Sequence, residues 1–229
     1  MLRPEPSLAA RSWRRLLGFS LFLAVLIFLP AGTLDYWQGW TYLGIFIGCC
    51  VLTTASLLER DPALVARRLE VGPKAEKEPA QKRIQLAASL CLLALYIVSA
   101  LDFRFRWSPV PAGLVLFGDL LVVLGFALMY RVFRENSYAA ATVTVEAEQR
   151  VIATGPYARV RHPMYSGALL LFLGTPLGLG SCWGLLLFAA AVAILIARLK
   201  NEEQFLLRNL PGYDGYRRRV RFRLIPRIW

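Results

Sequence analysis

One stretch gathers most of the residues that could do chemistry. Gly155-Pro156-Tyr157-Ala158-Arg159-Val160-Arg161-His162-Pro163-Met164-Tyr165-Ser166-Gly167 is polar, aromatic and rigid, and it carries the single histidine of the chain. About forty residues later comes a second polar cluster, Arg198-Leu199-Lys200-Asn201-Glu202-Glu203. Together they offer an imidazole, a tyrosine hydroxyl, two carboxylates and an arginine. Such a set can orient an anionic group and move a proton. It does not suit a metal, because one histidine without suitably spaced cysteines makes a poor ligand set. No glycine-rich phosphate loop follows a strand pattern, and no serine or cysteine is paired with a base.

Local spacing sharpens these roles. Proline is favoured at the first helical position, where its missing N–H costs nothing. Pro163 therefore predicts a helix start with His162 at the cap and Tyr165 one turn in. The free N–H groups and dipole of a helix start favour a negative group. Arg198 and Glu202 are spaced i, i+4 and share a helix face. Glu203 is turned about 100° from Glu202, so the two acids can serve different partners. The plainer alternatives are a structural histidine before a proline and a weak surface ion pair.

Both clusters have to be positioned by apolar segments. The chain has 229 residues, is 57% hydrophobic and has a positive mean hydropathy. A membrane crossing needs about 20 apolar residues. Six segments approach that length, roughly Leu16 to Leu34, Gly39 to Leu58, Ile84 to Leu101, Ala112 to Val132, Met164 to Leu177 and Cys182 to Leu199. The expected fold is all-α, a polytopic transmembrane helical bundle of about six membrane segments, the last two forming a helical hairpin. Asp61 to Leu69 could form a short surface helix. Gly174 and Gly178 match a G-x-x-x-G packing motif, but the Gly and Pro density from Gly174 to Ser181 reads as a turn. Asp119 falls inside a segment, where an acid is a functional suspect. Its place near one end of the span favours a hydrated or paired structural role. Cys49, Cys50, Cys91 and Cys182 lack ligand spacing and read as packing residues.

The formal charge of +12 raises nucleic acid as a partner, but its distribution argues otherwise. If the N-terminus is cytoplasmic and all six segments cross, 25 of the 27 Lys and Arg residues fall on one side. Only Arg104 and Arg106 are opposite. This is the asymmetry of a membrane protein with both termini cytoplasmic. Membrane lipid is thus an expected partner, and nucleic acid is not. Two regions are expected. Residues 1–130 would hold the N-terminal spans with a cytosolic loop at 59–83. Residues 131–229 would form a cofactor-binding catalytic region of connection, hairpin and tail. The hairpin is the argument for a single site. One passage out and one back returns Arg198, Glu202 and Glu203 to the side of His162 and Tyr165. A segment of about 14–18 residues spans roughly 21–27 Å at 1.5 Å per residue, so a re-entrant hairpin serves as well as a full crossing.

At these residues the chain resembles the isoprenylcysteine carboxyl methyltransferase family in its prokaryotic form. Gly155-Pro156-Tyr157 with Arg161-His162-Pro163-Met164-Tyr165-Ser166-Gly167 is similar to the family's G-x-Y…R-H-P-x-Y-x-G signature. Arg198 with Glu202-Glu203 is similar to its R-x-x-x-E-E, and Tyr213, Tyr216 and Val220 to its closing Y-x-x-Y-x-x-x-V. The resemblance covers about 145–229. It implies S-adenosyl-L-methionine bound near the cytosolic surface of a multi-pass membrane protein. It implies cofactor contacts at Gln149, Arg150, Val151, Ile152, Tyr157, His162, Pro163, Met164, Tyr165 and Glu202. It also implies that Arg198 lies near a substrate carboxylate. The catalytic set expected on this basis is Arg198, Glu202 and Glu203. The implied reaction is methyl transfer to a lipophilic or lipidated acceptor, most simply carboxyl O-methylation of a prenylcysteine-like group. A carboxylate is already ionised at neutral pH, so such an acceptor needs placement and desolvation rather than a base. An amine or thiol acceptor, including a phospholipid amine, would need proton removal, with Glu203 or Tyr165 as candidates. The tail from Arg221 to Trp229 also resembles sterol reductases, whose cofactor is NADPH. The longer tail from Tyr213 to Trp229 reads either as a basic lipid-facing segment or as a lid.

Overall fold

The computed structural model describes residues 6–69, 79–139 and 149–229. Within them the chain is all-helical, with eight α-helices and one 3-10 turn and no strand among the described residues. The helices are α1 (Leu8–Ala31), α2 (Trp37–Arg60), α3 (Pro62–Leu69), α4 (Pro79–Phe105), α5 (Ala112–Glu135), α6 (Pro163–Gly178), α7 (Gly184–Asn209) and α8 (Tyr213–Arg219). The 3-10 turn is Gly155–Ala158. The expected short helix after Asp61 is α3, whose first turn is capped by Asp61 Oδ1 accepting from the Leu64 N–H at 2.9 Å. The rest of the expected loop 59–83 and connection 131–161, namely residues 70–78 and 140–148, lies outside the described residues.

Five helices, α1, α2, α4, α5 and α7, are long and apolar enough to cross a membrane. Six such segments were expected, and α6 is the one that falls short. Its 16 residues span roughly 24 Å at 1.5 Å per residue. It nevertheless joins the two ends of the bundle. His162 caps its start, and just past its end the Leu179 carbonyl accepts from Tyr36 Oη at 2.5 Å.

Helices overrun the apolar segments wherever capping and propensity allow. Helix α1 starts at Leu8 because Ser7 Oγ accepts the Ala10 N–H, the ordinary N-cap bond. Helix α7 continues ten residues beyond the expected end at Leu199, to Asn209. Lys200, Glu202, Glu203, Gln204 and the leucines that follow are all good helix formers. Arg198, Glu202 and Glu203 therefore sit on one rigid rod.

The α5–α6 pair is the most extensive helix contact, and glycine makes it possible. A Cβ at Gly174 would lie 2.5 Å from the Gly118 carbonyl oxygen, and one at Gly125 would lie 2.7 Å from the Gly167 oxygen. Gly174 and Gly178 are helical, so the packing reading of G-x-x-x-G holds and the turn reading is corrected. The two backbones approach closely enough to offset glycine's propensity cost of about 1 kcal/mol. Asp119 is buried against Gly178, and neither carboxylate oxygen has a hydrogen-bond partner among the described residues. Cys182, expected to pack, is exposed at the α6–α7 turn.

Candidate active site

The α6–α7 hairpin brings the two clusters together, and the two adjacent acids diverge as their 100° offset requires. On one face of α7, Glu202 Oε2 accepts a hydrogen bond from Tyr165 Oη. Arg198 Nε donates to the same hydroxyl at 3.1 Å, and its Nη1 donates to Gln85 Oε1 on α4 at 2.5 Å. A line of polar groups thus runs Gln85–Arg198–Tyr165–Glu202. His162 stacks on the Tyr165 ring, with centroids 5.7 Å apart. Its Nδ1 lies 3.9 Å from Glu202 Oε1.

The next acid has different neighbours. Glu203 is buried, 5% exposed. Its Oε1 accepts from Arg161 Nε at 2.6 Å and from His162 Nε2 at 3.3 Å. Its Oε2 accepts from Arg223 Nε at 3.0 Å. Arg161 Nη1 donates onward to the carbonyls of Val220 and Arg221, at 2.9 and 2.8 Å. The backbone N–H groups of Arg161 and His162 donate to Phe222 and Arg223, both at 2.9 Å. Ser166 Oγ adds a bond to the Leu224 carbonyl at 2.6 Å. Glu203 therefore stitches the tail to the signature. Helix α8 follows the same logic: Tyr213 and Tyr216 are buried, and Tyr216 Oη donates to the Tyr157 carbonyl at 2.8 Å. Helix α8 thus packs on the signature while its three arginines stay exposed.

All ten residues assigned to the cofactor, from Gln149 to Glu202, line one cleft between the 3-10 turn, α6, α7 and α8. The cleft measures about 110 Å3 and opens to solvent at its mouth. A nucleoside-sized ligand would fill the mouth as well as the floor. The chemistry of the lining fits a nucleoside sulfonium. Val151, Ile152, Leu206 and Leu210 offer apolar walls to a flat ring. Glu202 offers a carboxylate to hydroxyls or to a cation, and Tyr213 presents a buried hydroxyl with no partner among the described residues. Burial pushes Tyr157 up to about 12, so its phenol stays neutral and accepts from Asn136 Nδ2 at 2.9 Å.

A second cavity of about 290 Å3 lies between α4, α6 and α7. Leu92, Ala168, Phe172, Ala191, Ile194 and Leu195 make it apolar, while Gln85, Arg198, Glu202 and Arg68 make its end polar. Met164, Tyr165 and Glu202 belong to both cavities. Arg198 lines only this second one, and Glu203 lines neither. Arg68 is half-buried, and desolvation lowers its guanidinium to about 10, which still leaves it charged at neutral pH. It donates to the Ala139 carbonyl at 2.9 Å and lies over the Phe133 ring. Sequence reasoning missed Gln85, Arg68 and Asn136, which sit on three other helices or their ends and carry no local signal. Arg223 could have been suspected, since it is the half-buried arginine in a tail of exposed ones.

Helices long and apolar enough to cross a bilayer, with a polar cleft that shares lining residues with an apolar cavity between them, mark a multi-pass membrane protein. Residues 114–211 match the family model described as phospholipid methyltransferase, within the isoprenylcysteine-methyltransferase-like group of membrane methyltransferases. The match falls short of half the chain, and it contains α5 from Leu114 onward, both polar clusters and the hairpin. The chain is also similar to the nickel-cobalt-cadmium resistance protein NccN of Alcaligenes xylosoxydans xylosoxydans. It is 31% identical over 88 residues, which is 36% of this chain and 39% of that protein. The aligned part thus spans well under half the length of that relative.

Proposed function

We propose that the chain is an S-adenosyl-L-methionine-dependent methyltransferase acting on the headgroup of a lipophilic acceptor, with the cleft facing the cytosol. The observation that carries this reading is the shared wall. A cleft suited to a nucleoside and an apolar cavity meet at Met164, Tyr165 and Glu202. The bound cofactor would supply an electrophilic methyl group at that wall. The chain's own residues do the rest. Arg198, braced by Gln85, orients an anionic oxygen. Glu202 holds the Tyr165 hydroxyl, which in turn accepts from Arg198 and fixes its fork. The apolar lining excludes water and so desolvates the acceptor oxygen. Glu203, engaged by Arg161, His162 and Arg223, serves as the brace that holds His162 and the tail in place.

Two arginines and one carboxylate at the polar end give the cavity a positive balance, which favours carboxylate O-methylation of a prenylcysteine-like or other lipid-linked acid. A phospholipid amine is the competing acceptor, supported by the family match. Labelled cofactor incubated with the protein and extracted lipids or prenyl-peptides separates the two. A methyl ester releases labelled methanol in alkali, whereas an N-methyl group does not. Stabilisation of the protein by NADPH but not by S-adenosylhomocysteine in a thermal-shift titration would instead point to a reductase.

A further inference from the structure

The arginines of the tail and of the segments it packs against include two sets. Arg161 and Arg223 are held by Glu203, and Arg217 and Arg218 by Asp214. Arg131, Arg134, Arg159, Arg219, Arg221 and Arg227 are exposed, and none of these six has an ion pair with a described residue. All six line two adjoining grooves of about 560 and 540 Å3, which share Arg159 and Pro226. The one acid there, Glu135, accepts a hydrogen bond from Thr154. Arg227 holds a φ of 66°, the left-handed region that a side chain other than glycine rarely adopts. Six like charges facing a single carboxylate repel one another unless a further anion lies between them.

The position of the grooves identifies the anion. On α5, Leu116, Leu120, Val123 and Leu124 are exposed. At 3.6 residues per turn they share a face with Arg131 and Arg134, Leu116 and Arg134 being about five full turns apart. An apolar stripe on a membrane-spanning helix thus ends in two arginines at the lip of the grooves. Free phosphate would have no use for the stripe, whereas a phospholipid would use both.

We propose that this end of the molecule holds an anionic glycerophospholipid of the surrounding leaflet, with its phosphate in the arginine grooves and an acyl chain along α5. The site is separate from the acceptor cavity, which none of the six arginines lines, and it does not depend on which reaction the cleft performs. The lipid pins the tail between Arg219 and Arg227. The carbonyls of Phe222 and Arg223 in that segment accept the N–H groups of Arg161 and His162. The lipid therefore braces the catalytic cluster from its outer side.

The test uses the full chain in neutral detergent, titrated with phosphatidylglycerol or with phosphatidylcholine of the same acyl chains, with retained lipid read by native mass spectrometry. The expected result is preferential retention of phosphatidylglycerol. The double variant Arg159→Gln, Arg227→Gln should weaken that retention by about tenfold to thirtyfold, at roughly a factor of five per surface arginine. The single variant Arg134→Gln should show a smaller loss. The control Arg217→Gln, whose parent residue is paired with Asp214, should show none. Equal retention of the two lipids, or unchanged phosphatidylglycerol retention in both groove variants, would overturn the proposal. Displacement of the lipid by millimolar inorganic phosphate would reassign the grooves to a soluble anion.

Discussion

At the far end of the bundle, Asp102 is surrounded by donors that belong to the fold. Its Oδ1 accepts from the Ser108 N–H at 2.8 Å, and its Oδ2 from Ser108 Oγ at 2.5 Å, Ser181 Oγ at 2.6 Å and the Trp183 N–H at 3.3 Å. These bonds close the turn after α4 onto the turn between α6 and α7. At the site end two carboxylates lie side by side, and only Glu203 is used in this way. Glu202 instead faces both cavities. The comparison shows how one helix can give two adjacent acids different surroundings by a single residue step. The 100° offset sends one acid into the scaffold and its neighbour into the cleft.

Substitutions can break this contrast. Glu203→Ala should be the most damaging, because it strands Arg161 and Arg223, one of them buried. Removing one partner of a buried pair costs about 3–5 kcal/mol, so the variant should lose thermal stability in detergent and activity together. If Glu203→Ala instead melts like the parent but is inactive, Glu203 acts in the chemistry itself. Glu202→Gln should do the reverse, leaving the melting temperature near the parent's. Methyl transfer should then fall by about 100-fold, equivalent to roughly 2.7 kcal/mol of transition-state stabilisation. A matching loss of stability would place Glu202 in the scaffold too. Asp102→Ala should destabilise by about 1–3 kcal/mol, the cost of leaving buried donors unsatisfied. Turnover per folded molecule should be preserved. Smallest of all, Gln85→Ala should raise the apparent KM for the lipophilic acceptor several-fold, since it removes a brace worth about 1 kcal/mol. The affinity for S-adenosylhomocysteine, measured by calorimetry, should not change.

Much of the site could be read from the chain before folding. Pro163 at a helix start, His162 at its cap and the i, i+4 pair Arg198 and Glu202 are local statements, and local geometry follows from them. The hairpin argument also needed only the order of polar and apolar runs. Three things were harder to read. Helix ends were misjudged because hydropathy marks where a bilayer fits, whereas caps and propensity set where a helix stops. Gly174 and Gly178 were assigned to a turn because glycine is ambiguous until the facing backbone of α5 is known. Arg68 and Gln85 had no signal, since their place at the acceptor cavity depends on how α3 and α4 lean against α6 and α7.

The sequence alone therefore determined the order of the apolar rods and the pairing of the two polar clusters. Each of these follows from composition and from the fixed pitch of a helix. Tertiary structure decided which acid is structural and which faces the cleft, and that the two cavities share one wall. It also separated the arginines already neutralised from those left open. Those outcomes depend on contacts between elements far apart in the chain, where burial and the direction of each side chain are set by packing partners that local spacing does not specify.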